Sequence, residues 1–360
     1  MPKVLTEEEV GARIEEMRRR PQRFRDERIT MAHGAGGKAS RALVEGLVVP
    51  LLGDHAPAAL SDAAALAVDG TALAFTTDSF VVRPLTFPGG TIGELAVNGT
   101  VNDLAVSGAR PLALSLAMIL EEGLSASVLE EQVRAIADAA GQAGVSVATG
   151  DTKVVERGKC DGMYLTTAGV GVRRPDALLA PEYVRPGDKV LVSGTIGDHG
   201  VAIMLARGGL DLEAQVRSDT RSLWPVAQAL LEVCGTAVHC LRDATRGGVA
   251  TVLNEIAAAA EAGVLIAEDR LPVRPEVTGA CEILGIDPLY VANEGKLVAF
   301  VAPEAADAAL EAMRRAEGGA DAALIGEVRA EPPGRVLGRT AFGGHRIIDV
   351  LVGDPLPRIC

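Results

Sequence analysis

The chain has 360 residues and a net charge of −13, with 48% hydrophobic residues and only 3% aromatic ones. That length favours two domains over one, and a mixture rich in Ala, Val, Leu and Gly suits α/β layers, where small aliphatic side chains pack helices onto sheets. The charge argues against a nucleic-acid footprint; no run reaches the ~18 apolar residues of a membrane span, and the acidic N-terminus lacks the apolar core of a signal peptide. Five widely spaced cysteines without a CxxC pair exclude a disulfide framework and point to a reducing cytoplasm.

In chain order, residues 1–28 predict an amphipathic helical extension ending near Pro21, its arginines interleaved with glutamates as on a solvated face. The body starts at Ile29. A Gly-rich loop, Gly34 to Gly37 and Lys38, runs into a helical pattern over 39–49. Residues 72–77 and 111–120 read as strands. Helical spacing over 127–143 places Val128, Val133, Ile136 and Ala140 on one side, with Ser125 or Ser127 as cap and Gly141 or Gly144 as stop. The turn at 184–188 leads into a strand at 189–193, and a helix over 249–260 follows a Gly-Gly start. A strand over 296–301 precedes a helix from Pro303. A domain boundary is expected near 173–186, and the tail from Gly353, with two prolines, is expected to be an extended arm.

Four features bear on chemistry. The Gly-rich loop with Lys38 either cradles phosphate through its amides or is an ordinary turn, and it matches neither standard nucleotide motif. Asp62, Asp78, Asp103 and Asp151 are expected at strand ends beside Gly, Asn and Thr. They suit a hard cation with substrate phosphates, although single aspartates often only cap turns. In the stretch 241–249, Asp243 and Arg246 precede a helix start, as a phosphate clamp or as a capped helix with a surface pair; Glu294 is a further carboxylate before a strand. Cys360, last in the chain on a Pro-stiffened arm, offers an accessible thiol or is merely a frayed end.

Taken together, Met31-Ala32-His33-Gly34-x-Gly36-Gly37, Thr77-Asp78-Ser79, Phe87-Pro88-Gly89-Gly90, Asn102-Asp103, Gly150-Asp151-Thr152-Lys153, Arg242-Asp243-Ala244-Thr245-Arg246-Gly247-Gly248 and the terminal Pro357-Arg358-Ile359-Cys360 resemble the hydrogenase maturation factors of the HypE family. The likeness spans residues 29–360. Its superfamily includes aminoimidazole ribonucleotide synthetase, selenophosphate synthetase and thiamine-monophosphate kinase.

The resemblance implies an α/β (α+β) fold of two domains like aminoimidazole ribonucleotide synthetase, each a mixed sheet packed with helices, with a flexible tail. It implies an ATP-binding and dimerisation domain over 29–172, a second domain over 173–350, and a mobile tail over 351–360 in a homodimer. The implied activity is ATP-dependent dehydration of a thiocarboxamide on Cys360 to a thiocyanate. The carbamoyl group comes from the carbamoyltransferase HypF, and the cyanide goes to iron in the HypC–HypD complex, for the [NiFe] centre. The implied nucleotide contacts are Gly34, Gly36, Gly37, Lys38, Asn102, Thr152, Asp243 and Arg246, and the implied Mg²⁺ ligands are Asp62, Asp78, Asp103 and Asp151. Lys153 is expected to stabilise phosphoryl oxygens, and His33 or Glu294 to be the base. A selenophosphate synthetase would want a reactive cysteine beside the Gly-rich loop, and none stands between Met1 and Lys159. A nucleotide-regulated scaffold is the remaining reading; an adduct on Cys360 separates it from the enzyme.

Overall fold

The computed structural model describes residues 24–34, 36–57, 60–208, 215–351 and 358–360. The expected helix over 1–28 therefore lies outside the described residues except for 24–28, which are irregular rather than helical. Most of the expected tail arm, 352–357, is outside them as well.

Two mixed sheets carry the structure. The first has the order β1-β2-β7-β5-β6, formed by β1 (Ala64–Val68), β2 (Thr71–Phe80), β5 (Ala109–Glu121), β6 (Ser146–Val155) and β7 (Met163–Arg173). A two-residue ribbon, β3 (Thr86–Phe87) with β4 (Gly90–Thr91), stands apart. In the first sheet the β5–β6 pair is parallel and the others antiparallel. The second sheet runs β14-β13-β10-β12-β8-β11-β9. Its strands are β8 (Lys189–Val192), β9 (Val238–Asp243), β10 (Gly263–Ala267), β11 (Leu297–Val301), β12 (Ala323–Arg329), β13 (Val336–Arg339) and β14 (His345–Ile348). Here β10 and β13 are parallel.

The helices are α1 (Lys38–Leu43), α2 (Ile92–Val106), α3 (Ala126–Ala143), α4 (Asp198–Ala206), α5 (Trp224–Cys234), α6 (Gly248–Ala259), α7 (Pro275–Leu284) and α8 (Ala306–Arg315). α1 continues through a π-turn and one further α-helical turn as far as Leu52. The Ser125 hydroxyl accepts from the Ser127 amide, and Gly144, at φ 68°, closes α3. The buried face of α3 differs from the expected one. Gln132 and Ile136 point inward while Val133 is 43% exposed, because the Gln132 amide donates to Thr86 and accepts from the Gly93 amide. An amide buried here without those partners would cost about 1–3 kcal/mol, so the two bonds hold Gln132 inward.

α2 departs most from expectation. The stretch around Asn98, Gly99 and Asn102 suggests the end of a strand, yet it is helical and nearly all buried. Thr91 caps it by accepting from the Glu94 amide, and it lies between the first sheet and the second half of the chain. A helix buried all round needs small residues where backbones approach, so its glycines serve packing. An added Cβ at Gly99 would sit 2.8 Å from the Phe80 ring. The aspartates expected at strand ends accordingly sit elsewhere: Asp62 precedes β1, Asp78 is inside β2, Asp103 is in α2 and Asp151 is inside β6.

The two halves share apolar cores. Val201, Ile203, Val277 and Ala280 from α4 and α7 join Leu95, Val101 and Leu165 of the first half. Ala105 and Val106 of α2 pack with Leu223, Val226 and Leu230 around α5. Gly169 on β7 is where α2 meets its sheet. A Cβ there would stand 2.7 Å from Thr100 and 3.0 Å from Leu114. Gly169→Ala should therefore cost about 1–3 kcal/mol by overpacking, seen as a lowered denaturation midpoint; an unchanged midpoint would contradict this packing.

Candidate active site between the two sheets

Between the sheets lies a cavity of about 320 Å³, lined mainly by polar side chains from both halves of the chain. The first half contributes Asp62, Asp78, Asp103, Thr76 and Thr77, with the Gly36–Gly37 backbone; the second contributes Arg242, Asp243, Arg246, Glu255 and Glu294, and Cys360. Oxygens of Asp62, Asp103 and Asp243 lie within 4.8 Å of one another. Thr76 donates to Asp103 at 2.6 Å and so orients it.

Burial and mutual repulsion dominate the electrostatics. The Asp103 carboxyl is held well above the usual carboxylate range, first by burial and then by Asp243, Asp78 and Asp62. Burial also raises Asp62 and Asp78. Asp243 is pushed up to about 7 by burial and by Asp62. Two guanidiniums answer this charge. Arg242 pairs with Asp62 and Glu255, each at 3.0 Å; burial opposes its charge, but those acids outweigh burial and raise it. Arg246 is raised first by the charge of Cys360, then by Asp78, Glu294 and Asp243, and its guanidinium donates to the Gly34 carbonyl at 3.1 Å.

Local sequence explains how these groups are presented. β9 ends at Asp243, and the turn that follows places Gly247 and Gly248 in left-handed conformations before α6. A Cβ on Gly248 would meet the Leu289 carbonyl at 2.5 Å, so the turn tolerates only glycine. Gly36, at φ 76°, lets the loop lie against Arg246, 3.1 Å from where its Cβ would be. Glu294 is held by its backbone: its amide donates to Asp219, its carbonyl accepts from Asn102, and Gly295 fits under the Asp219 carbonyl. The buried Lys296 ammonium sits 2.9 Å from Asp219. The Glu294 side chain is 3% exposed, its Oε1 has no hydrogen-bond partner, and burial, Asp219 and Asp243 hold its carboxyl well above the usual range.

Several expected residues take other places. His33 does not line the cavity. Its Nδ1 accepts from the Thr30 amide at 2.9 Å, so Nε2 carries the hydrogen and donates to Asp26 at 2.9 Å; it knots the entry of the chain and has no nitrogen left for a proton transfer. Asn102 accepts from the Leu223 amide and donates to the Arg221 and Glu294 carbonyls, which makes it a bridge between the halves. Lys38 is exposed beside Asp349, 3.4 Å away. Asp151, Thr152 and Lys153 lie on β6, exposed, with Asp151 and Lys153 paired at 2.8 Å. β6 is three strands from β2, roughly 14 Å from Asp78 at ordinary strand spacing, so Asp151 is not in its own chain's acidic cluster. The sequence reading did not single out Asp219, Lys296 or Glu255. Only Glu255 left a signal, a carboxylate on the helix that follows Arg242.

The two family models that match are the "AIR synthase related protein" N-terminal domain over residues 60–173 and its C-terminal domain over 185–338. A protein of Rhodobacter capsulatus named carbamoyl dehydratase HypE is 53% identical over 340 residues, 94% of this chain and 99% of that protein. The chain belongs to the HypE family of carbamoyl dehydratases. A solved HypE–HypF complex matches with a TM-score of 0.81 at 45% identity, covering 86% of this chain and all of that one. A HypE solved in complex with ATP matches with a TM-score of 0.77 at 46% identity, covering 92% and 100%. The family thus accounts for an α/β protein of two such domains, each a mixed sheet packed with helices, and for an enzyme.

The convergent oxygens of Asp62, Asp103 and Asp243, with two guanidiniums beside them among the described residues, fit a divalent metal ion. A ligand carboxylate must be ionised, and burial and Asp62 push Asp243 up to about 7. Mg²⁺ binding measured by calorimetry should therefore strengthen as the pH is raised through 7. Asp243→Asn should weaken binding and flatten that dependence. Equal affinity on both sides of pH 7 in the unaltered protein would remove Asp243 from the ligand set.

Proposed function

We propose that this protein dehydrates a carbamoyl group carried as a thiocarboxamide on Cys360 to a thiocyanate, at the expense of ATP. The cyanide then serves the iron of the [NiFe] hydrogenase centre. One observation carries the reading: Cys360 lines the same cavity as the acidic cluster and Arg246, residues suited to phosphoryl transfer.

The chemistry follows from the groups present. An amide oxygen leaves poorly and a phosphate leaves well. The thiocarboxamide oxygen attacks the γ-phosphorus of ATP and ADP departs. The carbon–oxygen bond then breaks as phosphate leaves, while nitrogen gives up both hydrogens, the second C–N π-bond forms, and R–S–C≡N remains. Arg246, beside Cys360, is suited to hold the transferring oxygens. Glu294, buried with an unengaged oxygen and a raised carboxyl, is suited to take a proton from nitrogen. Asp62, Asp103 and Asp243, with Asp78 beside them, would hold Mg²⁺, which neutralises triphosphate charge when bound.

HypF as carbamoyl donor is supported by the relative solved in complex with it, and ATP by the relative solved with ATP. Delivery of cyanide to a HypC–HypD complex is the step that consumes the product. A homodimer through the first domain is supported by β1, exposed along its whole length, and β6, exposed at all but its last residue, at the two edges of the sheet. A cytoplasmic location agrees with the absence of a disulfide among the described residues. Among them, no helix is long and apolar enough to cross a membrane.

Intact-mass spectrometry after incubation with the carbamoyl donor, carbamoyl phosphate and ATP tests the reading. The unaltered protein should gain a carbamoyl group and then lose one water. Cys360→Ala should gain nothing. Glu294→Gln should be carbamoylated normally but dehydrate roughly 100-fold more slowly, as befits a lost proton acceptor. Carbamoylation of Cys360→Ala would overturn the assignment of the acceptor, and an unmodified tail in the unaltered protein would favour a scaffold.

A further inference from the structure

The last three residues are held by a socket whose side chains, His199, Arg207 and Asp161, do not line the acidic cavity, and we propose that this socket sets the depth at which Cys360 enters the cavity. The proposal rests on the reading that Cys360 carries the reacting group. Its positioning residues are His199, Arg207 and Asp161.

Main-chain oxygens of three consecutive residues at the chain end are each taken by a donor from a different part of the fold. The Arg207 guanidinium donates to the Arg358 carbonyl. His199 Nε2 meets the Ile359 carbonyl at 2.6 Å, and the Val81 amide donates to Cys360 at 3.0 Å. His199 is fully buried, with its basicity lowered first by burial, and its ring edge lies against Phe87. A carbonyl can only accept, so Nε2 carries the hydrogen and Nδ1 accepts from the Ser218 hydroxyl at 2.8 Å, which locks the ring. Arg207 is braced in turn, its Nε donating to the Arg83 carbonyl at 2.8 Å.

Side chains add register. Ile359 is 3% exposed and belongs to the same apolar core as Phe80, Val82 and Phe87. Arg358 reaches the opposite way and pairs with Asp161 at 2.5 Å; Asp161 also accepts from Tyr164 and lies 3.4 Å from Arg83. Arg358 takes a left-handed backbone, φ 59°, which a residue with a Cβ adopts only where contacts enforce it. A slip of one residue would drive either a guanidinium or the thiol into the apolar hole made for Ile359, at the cost of an unpaired buried polar group. An extended arm gives reach without depth, and one residue of slip moves the sulfur by about 3 Å. The socket removes that freedom.

The test uses the full-length protein and follows alkylation of Cys360 by iodoacetamide, located by peptide mass mapping, alongside carbamoyl acceptance and ATP-dependent dehydration. Ile359→Gly and Asp161→Asn should leave the thermal midpoint near that of the unaltered protein. They should accelerate alkylation of Cys360 roughly tenfold, the ratio for about 1.4 kcal/mol of lost docking. Carbamoyl acceptance should persist while dehydration slows by a similar factor, and Ile359→Val should restore both rates. Unchanged alkylation in Ile359→Gly overturns the socket. Faster alkylation with undiminished dehydration shows that the socket does not position the reacting group, and overturns the proposal too. If the unaltered protein is carbamoylated but never dehydrates the group, the functional reading falls; the alkylation rates then decide by themselves whether the socket holds the chain end.

Discussion

Six carboxyl groups, Asp62, Asp78, Asp103, Asp243, Glu255 and Glu294, crowd into one seam and are answered there by two guanidiniums, Arg242 and Arg246. At the 4.8 Å that bounds the oxygen separations in the Asp62–Asp103–Asp243 group, each ionised pair repels by about 3–4 kcal/mol at an effective dielectric of 20. Left alone, the seam must take up protons, which is what the raised carboxyls of Asp103, Asp243 and Glu294 express. A divalent cation relieves the same repulsion. Much of the surrounding structure serves to hold these acids together against it.

That restraint is built from apolar and polar parts that neither half of the chain owns. α4 and α7 of the second half complete a core begun by α2 and the first sheet. Asn102, inside α2, ties the Leu223 amide and two carbonyls of the second half. Since Asp103 is the next residue, the bridge that joins the halves also places an acid. Across the seam, Asp219 and Lys296 form a buried pair beneath Glu294 and fix its backbone while its side chain stays without a partner at Oε1. Rigid backbone around a polar atom left unsatisfied is the usual signature of a group kept for chemistry rather than for stability.

The chain end shows the same division of labour. Arg358, Ile359 and Cys360 are all anchored through main-chain oxygens, with an ion pair for Arg358 and an apolar hole for Ile359, and Cys360 also lines the cavity.

Much of the architecture was legible from residue order alone. Period-2 and apolar runs located β2, β5, β8 and β11, capping chemistry located the ends of α3, and the Gly-rich loop, Asp62, Asp78, Asp103, Asp243, Arg246, Glu294 and Cys360 were all named as chemistry-bearing. These signals are local: they depend on side-chain type, turn chemistry and spacing within a few residues. What tertiary structure decided is which of those residues meet. The run at 98–103 reads as the end of a strand yet is a helix, because burial between two layers overrides the weak propensities of Asn and Gly. His33 reads as a base yet spends both ring nitrogens on Thr30 and Asp26, and Asp151 with Lys153 lies three strands from the cluster it seemed to complete. Asp219 and the socket residues Asp161, His199 and Arg207 left no mark in the sequence, since their partners stand 75, 197, 160 and 151 residues away and only the folded chain brings them within hydrogen-bond reach.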